Sequence, residues 1–128
     1  MKDLADYVHS LGLKFGLYSS AGEMTCEGRA GSLGFEQIDA DDFISWGIDY
    51  LKYDNCFNLG IPAYERYTTM KWALDNATET YNRTLFYSIC NWGLEDVWQW
   101  GNFTGNSWRT TGDIMNTWTS VKSNFQMN

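Results

Sequence analysis

Two aspartates that end short extended segments are the residues of this sequence best suited to chemistry. Asp54 ends the first segment, and Lys52 stands two residues before it. Side chains alternate along a strand, so Lys52 and Asp54 are predicted to share a face, where the ammonium favours the ionised carboxylate. An ionised carboxylate at the end of a strand can act as a nucleophile towards the anomeric carbon of a sugar. The alternative interpretation is a structural ion pair at the rim of a sheet.

Asp113 supplies a second carboxylate at the end of another extended segment, which begins at Trp108. A retaining glycosidase needs two carboxyl groups about 5 Å apart, one as nucleophile and one as proton donor. An ionised Asp54 nearby would favour the protonated form of Asp113. Arg109 offers its fork of donors to a substrate hydroxyl. The alternative for Asp113 is a helix N-cap ahead of Ile114.

The segment Cys-Asn-Trp-Gly at residues 90–93 places an amide and an indole directly after a third extended run. The indole of Trp92 can stack on the apolar face of a pyranose, and the amide of Asn91 can bond sugar hydroxyls. The alternative is a Trp that fills the mouth of a barrel.

Helical and extended segments alternate along the chain. Helices are predicted at residues 1–11, 39–46, 62–80, 95–100 and 118–125, and strands at residues 13–18, 48–54, 84–90 and 108–111. This order demands a parallel sheet with right-handed crossovers, and no GxGxxG motif supports a dinucleotide site. The candidate residues follow the strands, at Tyr18, Asp54, Cys90 to Trp92 and Asp113. In a (β/α)₈ barrel that edge carries the active site, and four strands make half of one.

Two hydrophobic patterns add detail to this arrangement. Leu4, Val8 and Leu11 fall on one face of the first helix, which is predicted to stop at Gly12. Residues 84–90 are largely apolar, which is typical of a strand buried on both faces.

The composition excludes several classes of protein. The chain has 128 residues, with 9 Lys and Arg against 16 Asp and Glu, for a formal net charge of −7. A hydrophobic share of 44% is too high for a disordered chain, and the acidic balance argues against nucleic acid binding. No apolar run approaches the roughly 18 residues of a membrane span. The aromatic share of 17% suits a site that stacks on an uncharged ring such as a sugar, or equally a Trp-rich core or a partner interface.

The cysteines and the processing signals bear on the compartment. Three cysteines, Cys26, Cys56 and Cys90, give one disulfide and one free thiol if the compartment is oxidising. His9 is the only histidine, and no CxxC pair exists, so no zinc site is predicted. The chain opens without the pattern of a signal peptide, so the protein is either cytosolic or has lost its true N-terminus. Three N-x-S/T sequons favour secretion, at Asn76, Asn82 and Asn102.

Taken together, these residues resemble the α-galactosidases (melibiases) of glycoside hydrolase family 27, in particular the fungal and yeast type. The resemblance runs over nearly the whole chain and rests chiefly on two highly specific segments, residues 49–56 and 108–114. They occur in order and with matching intervals. The other matching segments are residues 13–22, 25–26, 31–36, 41–43, 46–47 and 90–93. Residues 27–30 depart from the family pattern in a loop on the solvent side.

The resemblance implies a role for each matching position. Asp54 corresponds to the nucleophile and Asp113 to the general acid/base, and no metal or organic cofactor is needed. The positions implied to contact or border the sugar are Lys52, Trp92, Arg109, Tyr18 and Asn91. Cys26 and Cys56 correspond to a disulfide between the loops after the third and fourth strands of the barrel. Cys90 is expected to be buried and reduced, because Gly105 stands where animal relatives have a cysteine.

The activity implied is retaining hydrolysis that releases terminal α-linked D-galactose by double displacement, from melibiose- and raffinose-type sugars or galactomannan. The family also implies secretion, and no nucleic acid or membrane partner is expected. One alternative is an α-N-acetylgalactosaminidase of the same family. The other is a non-catalytic half-barrel remnant that binds carbohydrate at most.

The length bears on domain organisation, because a complete (β/α)₈ barrel takes about 250 residues. Residues 1–128 are therefore expected to be part of such a catalytic domain, roughly its strands 3 to 6. The first strands with their Trp-Asp-Asp motif, the last two strands and a C-terminal β-domain are expected to be missing. The isolated segment is expected to be inactive.

Overall fold

The structure is a computed structural model that describes all residues, 1–128, as alternating helices and strands. The helices are α1 (Lys2–Ser10), α2 (Glu36–Ser45), α3 (Ala63–Tyr81), α4 (Val97–Thr104) and α5 (Trp118–Met127), and the strands are β1 (Gly16–Ser20), β2 (Tyr50–Asp54), β3 (Phe86–Cys90) and β4 (Ser107–Trp108). The strands form one parallel sheet in the order β1-β2-β3-β4. The predicted α/β architecture with a parallel sheet is therefore confirmed.

The first and last strands differ from their predicted bounds. β1 ends two residues later than predicted, because Ser19 and Ser20 still pair in register with Tyr53 and Asp54 of β2. Tyr18 consequently lies inside the strand rather than at its end. β4 ends at Trp108, and Arg109 N makes the last bond to β3, at 3.0 Å from the Ile89 carbonyl.

The helices largely follow the periodicity of the sequence. α2 begins at Glu36, three residues before the predicted start, because the buried Glu36 carboxylate accepts a hydrogen bond from the Gly34 amide at 3.0 Å. Pro62 directly precedes α3, where its lack of an amide proton costs no hydrogen bond. No helix combines the length and the apolar character that crossing a membrane requires.

The hydrophobic core lies between one face of the sheet and helices α2 and α3. Tyr53 of β2 packs edge-on against Tyr67 of α3, with ring centroids 5.6 Å apart, and the Tyr87 hydroxyl donates to the Tyr67 carbonyl. Burial removes apolar surface from water and holds the helices on the sheet. Other fully buried members of this core are Ile44, Ile48, Leu51, Met70, Ile89 and Val97.

The opposite face of the sheet is open. Tyr50 and Phe86 stack there with ring centroids 5.6 Å apart, yet remain 39% and 43% exposed. The prediction that residues 84–90 are buried on both faces is therefore wrong for this chain. Helices α1 to α4 cover one face only, while the second face carries the candidate site.

The outermost helices bury little surface. α1 buries only Ala5, and its predicted apolar face is exposed at Leu4 and Leu11. α5 buries none of its residues, although Trp118 and Phe125 are large and apolar. Of the predicted apolar face of α1, Val8 is half-buried, while Leu4 and Leu11 remain largely exposed.

Asp49 joins several elements at the amino-terminal edge of the sheet. Its carboxylate accepts hydrogen bonds from His9 Nε2 at 2.7 Å, the Phe15 amide at 2.9 Å, Lys14 Nζ at 3.2 Å and Arg83 Nη2 at 2.9 Å. Burial opposes ionisation of this carboxyl, but the hydrogen bonds outweigh it and hold the pKa of Asp49 well below its usual range. One carboxylate thus anchors the segments that precede β1, β2 and β3.

We predict that Asp49→Asn lowers the free energy of unfolding at pH 7 by about 3 kcal/mol, because it leaves the cations around it without a counter-charge. A depressed folded-state pKa stabilises the protein fully above the unfolded pKa of about 3.9, and this stabilisation is lost as the pH falls below that value. Urea unfolding from pH 7 to pH 3 measures both effects. The variant should lose less stability on acidification than the wild type. Asp42→Asn, at an exposed carboxylate without a side-chain partner, is the control, and equal acid sensitivity of the Asp49 variant and the wild type would contradict the prediction.

Candidate active site

Asp54 is the buried carboxylate of the carboxyl edge of the sheet. The residue is 6% exposed, and its Oδ1 accepts hydrogen bonds from the Asn55 amide at 2.9 Å and from Trp92 Nε1 at 3.0 Å. Its carbonyl accepts a bond from the Ala21 amide at 2.8 Å. One carboxylate oxygen is thus held by two donors, whereas Oδ2 has no protein partner. Such a carboxylate has a fixed position and a free oxygen, as a nucleophile requires.

A disulfide between Cys26 and Cys56 closes the site on one side. It joins the loop after β1 to the loop after β2 across 5.2 Å between Cα atoms, and the pairing implied by the family resemblance is confirmed. A carboxylate oxygen of Asp54 lies within 4.8 Å of both sulfurs. The sulfurs are bonded to each other, so they are not thiolate ligands for a metal. The bridge fixes the two loops beside Asp54.

Lys52 faces Tyr18, its register partner on β1. Lys52 Nζ lies over the Tyr18 ring, 5.7 Å from its centroid, and no ion pair joins it to Asp54. The alternative interpretation of a structural ion pair between Lys52 and Asp54 is therefore wrong, because the cation contacts the aromatic ring of the neighbouring strand instead. Partial burial, together with the carboxylate of Asp54, raises the pKa of the Tyr18 hydroxyl, which accepts a bond from the Cys26 amide at 3.4 Å.

The backbone at Trp92 and Gly93 brings the indole to Asp54. Both residues lie in the left-handed region, with φ of 64° and 77°. A Cβ on Gly93 would lie 2.0 Å from the Thr110 carbonyl oxygen, so only glycine permits this approach. The contact joins the turn after β3 to the segment after β4. Strain at Trp92 is typical of a functional position, where the surrounding structure over-determines the backbone.

The rest of the turn after β3 is held from within the chain. Asn91 is fully buried, and its Nδ2 donates to the Leu94 carbonyl at 2.6 Å while its Oδ1 has no partner. Glu95 Oε2 accepts the bond of the first free amide of α3, at Ala63, and the Glu95 carbonyl accepts one from Trp100 Nε1. Glu95 was not singled out from the sequence. Glu95 and the start of α3 are 32 positions apart, so no local sequence pattern indicates that Glu95 caps this helix.

Arg109 and Asp113 form a second group of candidate site residues, in the segment after β4. Arg109 Nη1 donates to Asp113 Oδ1 at 2.8 Å and contacts the Cys90 sulfur at 3.6 Å, while Nη2 donates to the Thr111 carbonyl. Partial burial acts to lower the pKa of Arg109, but the bonds to Cys90 and Asp113 outweigh it and raise this pKa. The Asp113 side chain is 86% exposed. The alternative of a helix N-cap at Asp113 is wrong, because Thr117 caps α5 through a bond from the Ser120 amide.

Cys90 lies between Asp54 and the pair formed by Arg109 and Asp113. Asp54 pairs in register with Ser20 on one side and with Cys90 on the other. Cys90 is buried and free, as expected, and burial raises the pKa of its thiol. Its sulfur contacts the arginine that holds Asp113. The structure thus connects Asp54 and Asp113 through Cys90 and Arg109, with no direct contact between the two carboxyl groups.

Arg66 is the largest residue of this region that sequence reasoning missed. It lies on α3 and is 2% exposed. Its guanidinium donates to Ile61 O, Ala21 O and Asn55 Oδ1, which all lie in the loops around Asp54. The available signal was a cation at a position of α3 that belongs, by helical period, to the same buried face as Ala63 and Met70.

Comparison with known proteins decides the family. A sequence model described as Alpha galactosidase A matches residues 1–128. The chain belongs to this family. Alpha-galactosidase 3 of Arabidopsis thaliana is 60% identical to it over 121 residues, 94% of this chain and 27% of the relative. The resemblance inferred from the sequence is confirmed.

Solved α-galactosidases share the fold. Alpha-galactosidase I from Mortierella vinacea is 48% identical, with a TM-score of 0.83 over 89% of this chain and 29% of that one. The α-galactosidase from Saccharomyces cerevisiae, solved with raffinose, is 44% identical, with a TM-score of 0.85 over 92% of this chain and 26% of that one. The chain therefore spans between a quarter and a third of the length of these relatives, and its sheet matches a part of their fold.

We predict that Gly93→Ala lowers the free energy of unfolding by about 2 kcal/mol or more, because the new Cβ meets the Thr110 carbonyl and the backbone is left-handed. Gly112→Ala is the matched control. A Cβ there meets nothing within 4 Å, and the backbone lies outside the left-handed region, so we expect a change within about 0.5 kcal/mol. Urea unfolding of both variants provides the measurement. Equal stability of the two variants would contradict the contact between the turns.

Proposed function

We propose that this chain carries the nucleophile and the acid/base of a retaining α-galactosidase. One observation supports the proposal most strongly. Asp54 is a buried carboxylate with one oxygen bonded to Trp92 and the Asn55 amide and the other free, at the carboxyl edge of a parallel sheet. That edge is where (β/α)₈ enzymes place their catalytic residues, and the relatives reported above are α-galactosidases.

In the proposed mechanism, Asp54 Oδ2 attacks the anomeric carbon of an α-galactoside. The bond to the leaving oxygen breaks as Asp113 gives that oxygen its proton, and a covalent galactosyl-enzyme forms. The ionised Asp113 then removes a proton from water, which attacks the same carbon and releases galactose and the Asp54 carboxylate. The two displacements retain the configuration of the sugar.

The remaining side chains of the site are proposed to bind the sugar. The indole of Trp92 offers a stacking surface beside its bond to Asp54. Lys52 offers donors to the hydroxyls, with Tyr18 beneath its ammonium. Arg109 orients Asp113 and can also donate to a hydroxyl. Asn91 is proposed to border the sugar pocket, where its bond to the Leu94 carbonyl holds the turn after β3 in place.

The proposed domain is a (β/α)₈ barrel of which residues 1–128 form a part. The open face of the sheet and the exposed apolar residues of α1 and α5 support this, because they are surfaces that further strands and helices would cover. The relatives reported above are three to four times longer than their matched part. The other strands, with a Trp-Asp-Asp motif, would complete the site, and the whole protein would also have a C-terminal β-domain.

The proposed substrates are α-galactosides of the melibiose, raffinose and galactomannan type. Raffinose is the sugar present with the solved S. cerevisiae relative. An α-N-acetylgalactosaminidase would share the mechanism and differ in the pocket for the 2-substituent. Hydrolysis of the two aryl glycosides, one with a 2-hydroxyl and one with a 2-acetamido group, distinguishes these activities.

The test uses a chimera in which residues 1–128 replace the matching segment of the S. cerevisiae α-galactosidase. We predict that the chimera hydrolyses an aryl α-galactoside and that Asp54→Asn lowers kcat by about 10⁴-fold or more, because it removes the nucleophile. Asp113→Asn should lower kcat by about 10²- to 10⁴-fold for raffinose. Its effect should be smaller for an aryl galactoside whose leaving group needs no proton.

Covalent labelling with a mechanism-based galactoside identifies the nucleophile directly. Asp42→Asn, at an exposed carboxylate of α2, is the control that should leave both activity and labelling unchanged. A label on any residue other than Asp54 would contradict the assignment. A folded chimera without activity would instead favour the non-catalytic remnant. Turnover by residues 1–128 alone would contradict the expectation that the isolated segment is inactive.

We further propose that the protein is secreted and carries N-linked glycans. Asn76 and Asn102 lie on exposed surfaces of α3 and α4, and Asn82 lies in the exposed left-handed turn that ends α3. A glycan at any of them meets solvent. We predict that expression through a secretory pathway gives a product whose mass falls on treatment with an endoglycosidase, and that Asn82→Gln removes one glycan. An unchanged mass in every case would contradict the proposal.

A further inference from the structure

Arg66 is a buried cation that forms no ion pair. It is 2% exposed, and no carboxylate forms an ion pair with it. The Tyr67 ring lies near it, with the guanidinium carbon 5.7 Å from the ring centroid. Burial of an unpaired charge costs free energy, and an apolar side chain at this position of α3 would avoid that cost. The role of this arginine therefore has to be sought in the groups that its hydrogen bonds hold.

The guanidinium bonds three acceptors in two different loops. Nε donates to the Ile61 carbonyl at 2.8 Å, Nη1 to the Ala21 carbonyl at 2.9 Å and Nη2 to Asn55 Oδ1 at 2.7 Å. Ala21 follows β1, while Asn55 and Ile61 lie between β2 and α3. The planar fork of an arginine can meet three acceptors in different directions at once, whereas a lysine is a single compact donor group.

Two of the three acceptors belong to residues that hold Asp54. The Asn55 amide donates to Asp54 Oδ1 at 2.9 Å, and the Ala21 amide donates to the Asp54 carbonyl at 2.8 Å. Arg66 therefore bonds the side chain of one neighbour and the carbonyl of the other, and each neighbour bonds Asp54 through its amide. No atom of Arg66 bonds Asp54 itself.

We propose that Arg66 is a positioning residue that fixes the Asp54 carboxylate through Asn55 and Ala21. The inference rests on the proposed function, because the position that Arg66 would fix is the one from which Asp54 attacks the sugar. A shift of a reacting group by about 1 Å can cost on the order of 100-fold in rate. Loss of Arg66 is thus expected to slow the chemical step rather than to weaken sugar binding, since Arg66 lies beneath the loops.

The first test compares Arg66→Lys and Arg66→Met with Met70→Ala in the chimera described above. Met70 lies one turn further along α3 and is fully buried, so its truncation destabilises the same helix without removing a bond to the loops. We expect both Arg66 variants to lower kcat of the folded enzyme by about 10- to 100-fold, with KM changed by less than about threefold. Met70→Ala should lower the Tm and leave kcat of the folded enzyme unchanged.

The second test needs no activity and uses residues 1–128 and the chimera alike. Hydrogen exchange of the Ala21 and Asn55 amides reports directly on their bonds to Asp54. In Arg66→Met we expect both amides to exchange at least about tenfold faster relative to the amides of β3. In Met70→Ala that ratio should stay unchanged, because the loss of packing affects all amides through global unfolding.

The outcomes separate the positioning role from the proposed function. An active unmodified chimera whose Arg66 variants keep their kcat overturns the positioning role and leaves the α-galactosidase activity standing. A folded but inactive chimera refutes the proposed function, and the exchange of the two amides then decides whether Arg66 fixes Asp54. Unchanged exchange of Ala21 and Asn55 in Arg66→Met overturns the inference in either case.

Discussion

The burial of the Asp54 carboxylate is the constraint on which the carboxyl edge of the sheet depends. A buried carboxylate is costly unless donors surround it, and the strand that carries it offers only the Asn55 amide. The second donor, Trp92 Nε1, comes from the turn after β3 and requires a left-handed backbone. The close contact of Gly93 with Thr110 and the disulfide at Cys56 then fix the neighbouring segments around the same group.

Two carboxylates with different contacts lie at opposite ends of β2, Asp49 directly before the strand and Asp54 as its last residue. Asp49, at the amino edge, accepts bonds from four donors and connects α1 with the segments before β1 and β3. Asp54, at the carboxyl edge, keeps one oxygen free. Leu51 and Tyr53 lie between them in the hydrophobic core and make the strand rigid. The carboxylate that anchors the neighbouring segments and the proposed nucleophile thus lie at opposite ends of one strand.

The sequence predicted the order of the elements and the parallel sheet, because periodicity is a local signal, while the pairing of Cys26 with Cys56 was implied only by the family resemblance. It did not predict that Lys52 would lie over Tyr18 instead of pairing with Asp54, since alternation assigns a face but not the partner across the strands. It also did not identify Arg66, because a single cation in a helix is an ordinary sequence feature and the three acceptors of its guanidinium are distant in sequence or in the backbone. The contact of Gly93 with Thr110 joins distant positions and likewise leaves no local pattern.

The surroundings of the two carboxyl groups fit the different tasks proposed for them. Asp54 must hold one position during attack, and its burial and its two donors restrict its movement. The proposed acid/base must give up a proton and recover one from water in every cycle, so it needs contact with solvent. Asp113 has that contact, with an 86% exposed side chain and one arginine to orient it. A buried, fixed carboxylate and an exposed one thus suit the proposed nucleophile and the proposed acid/base respectively.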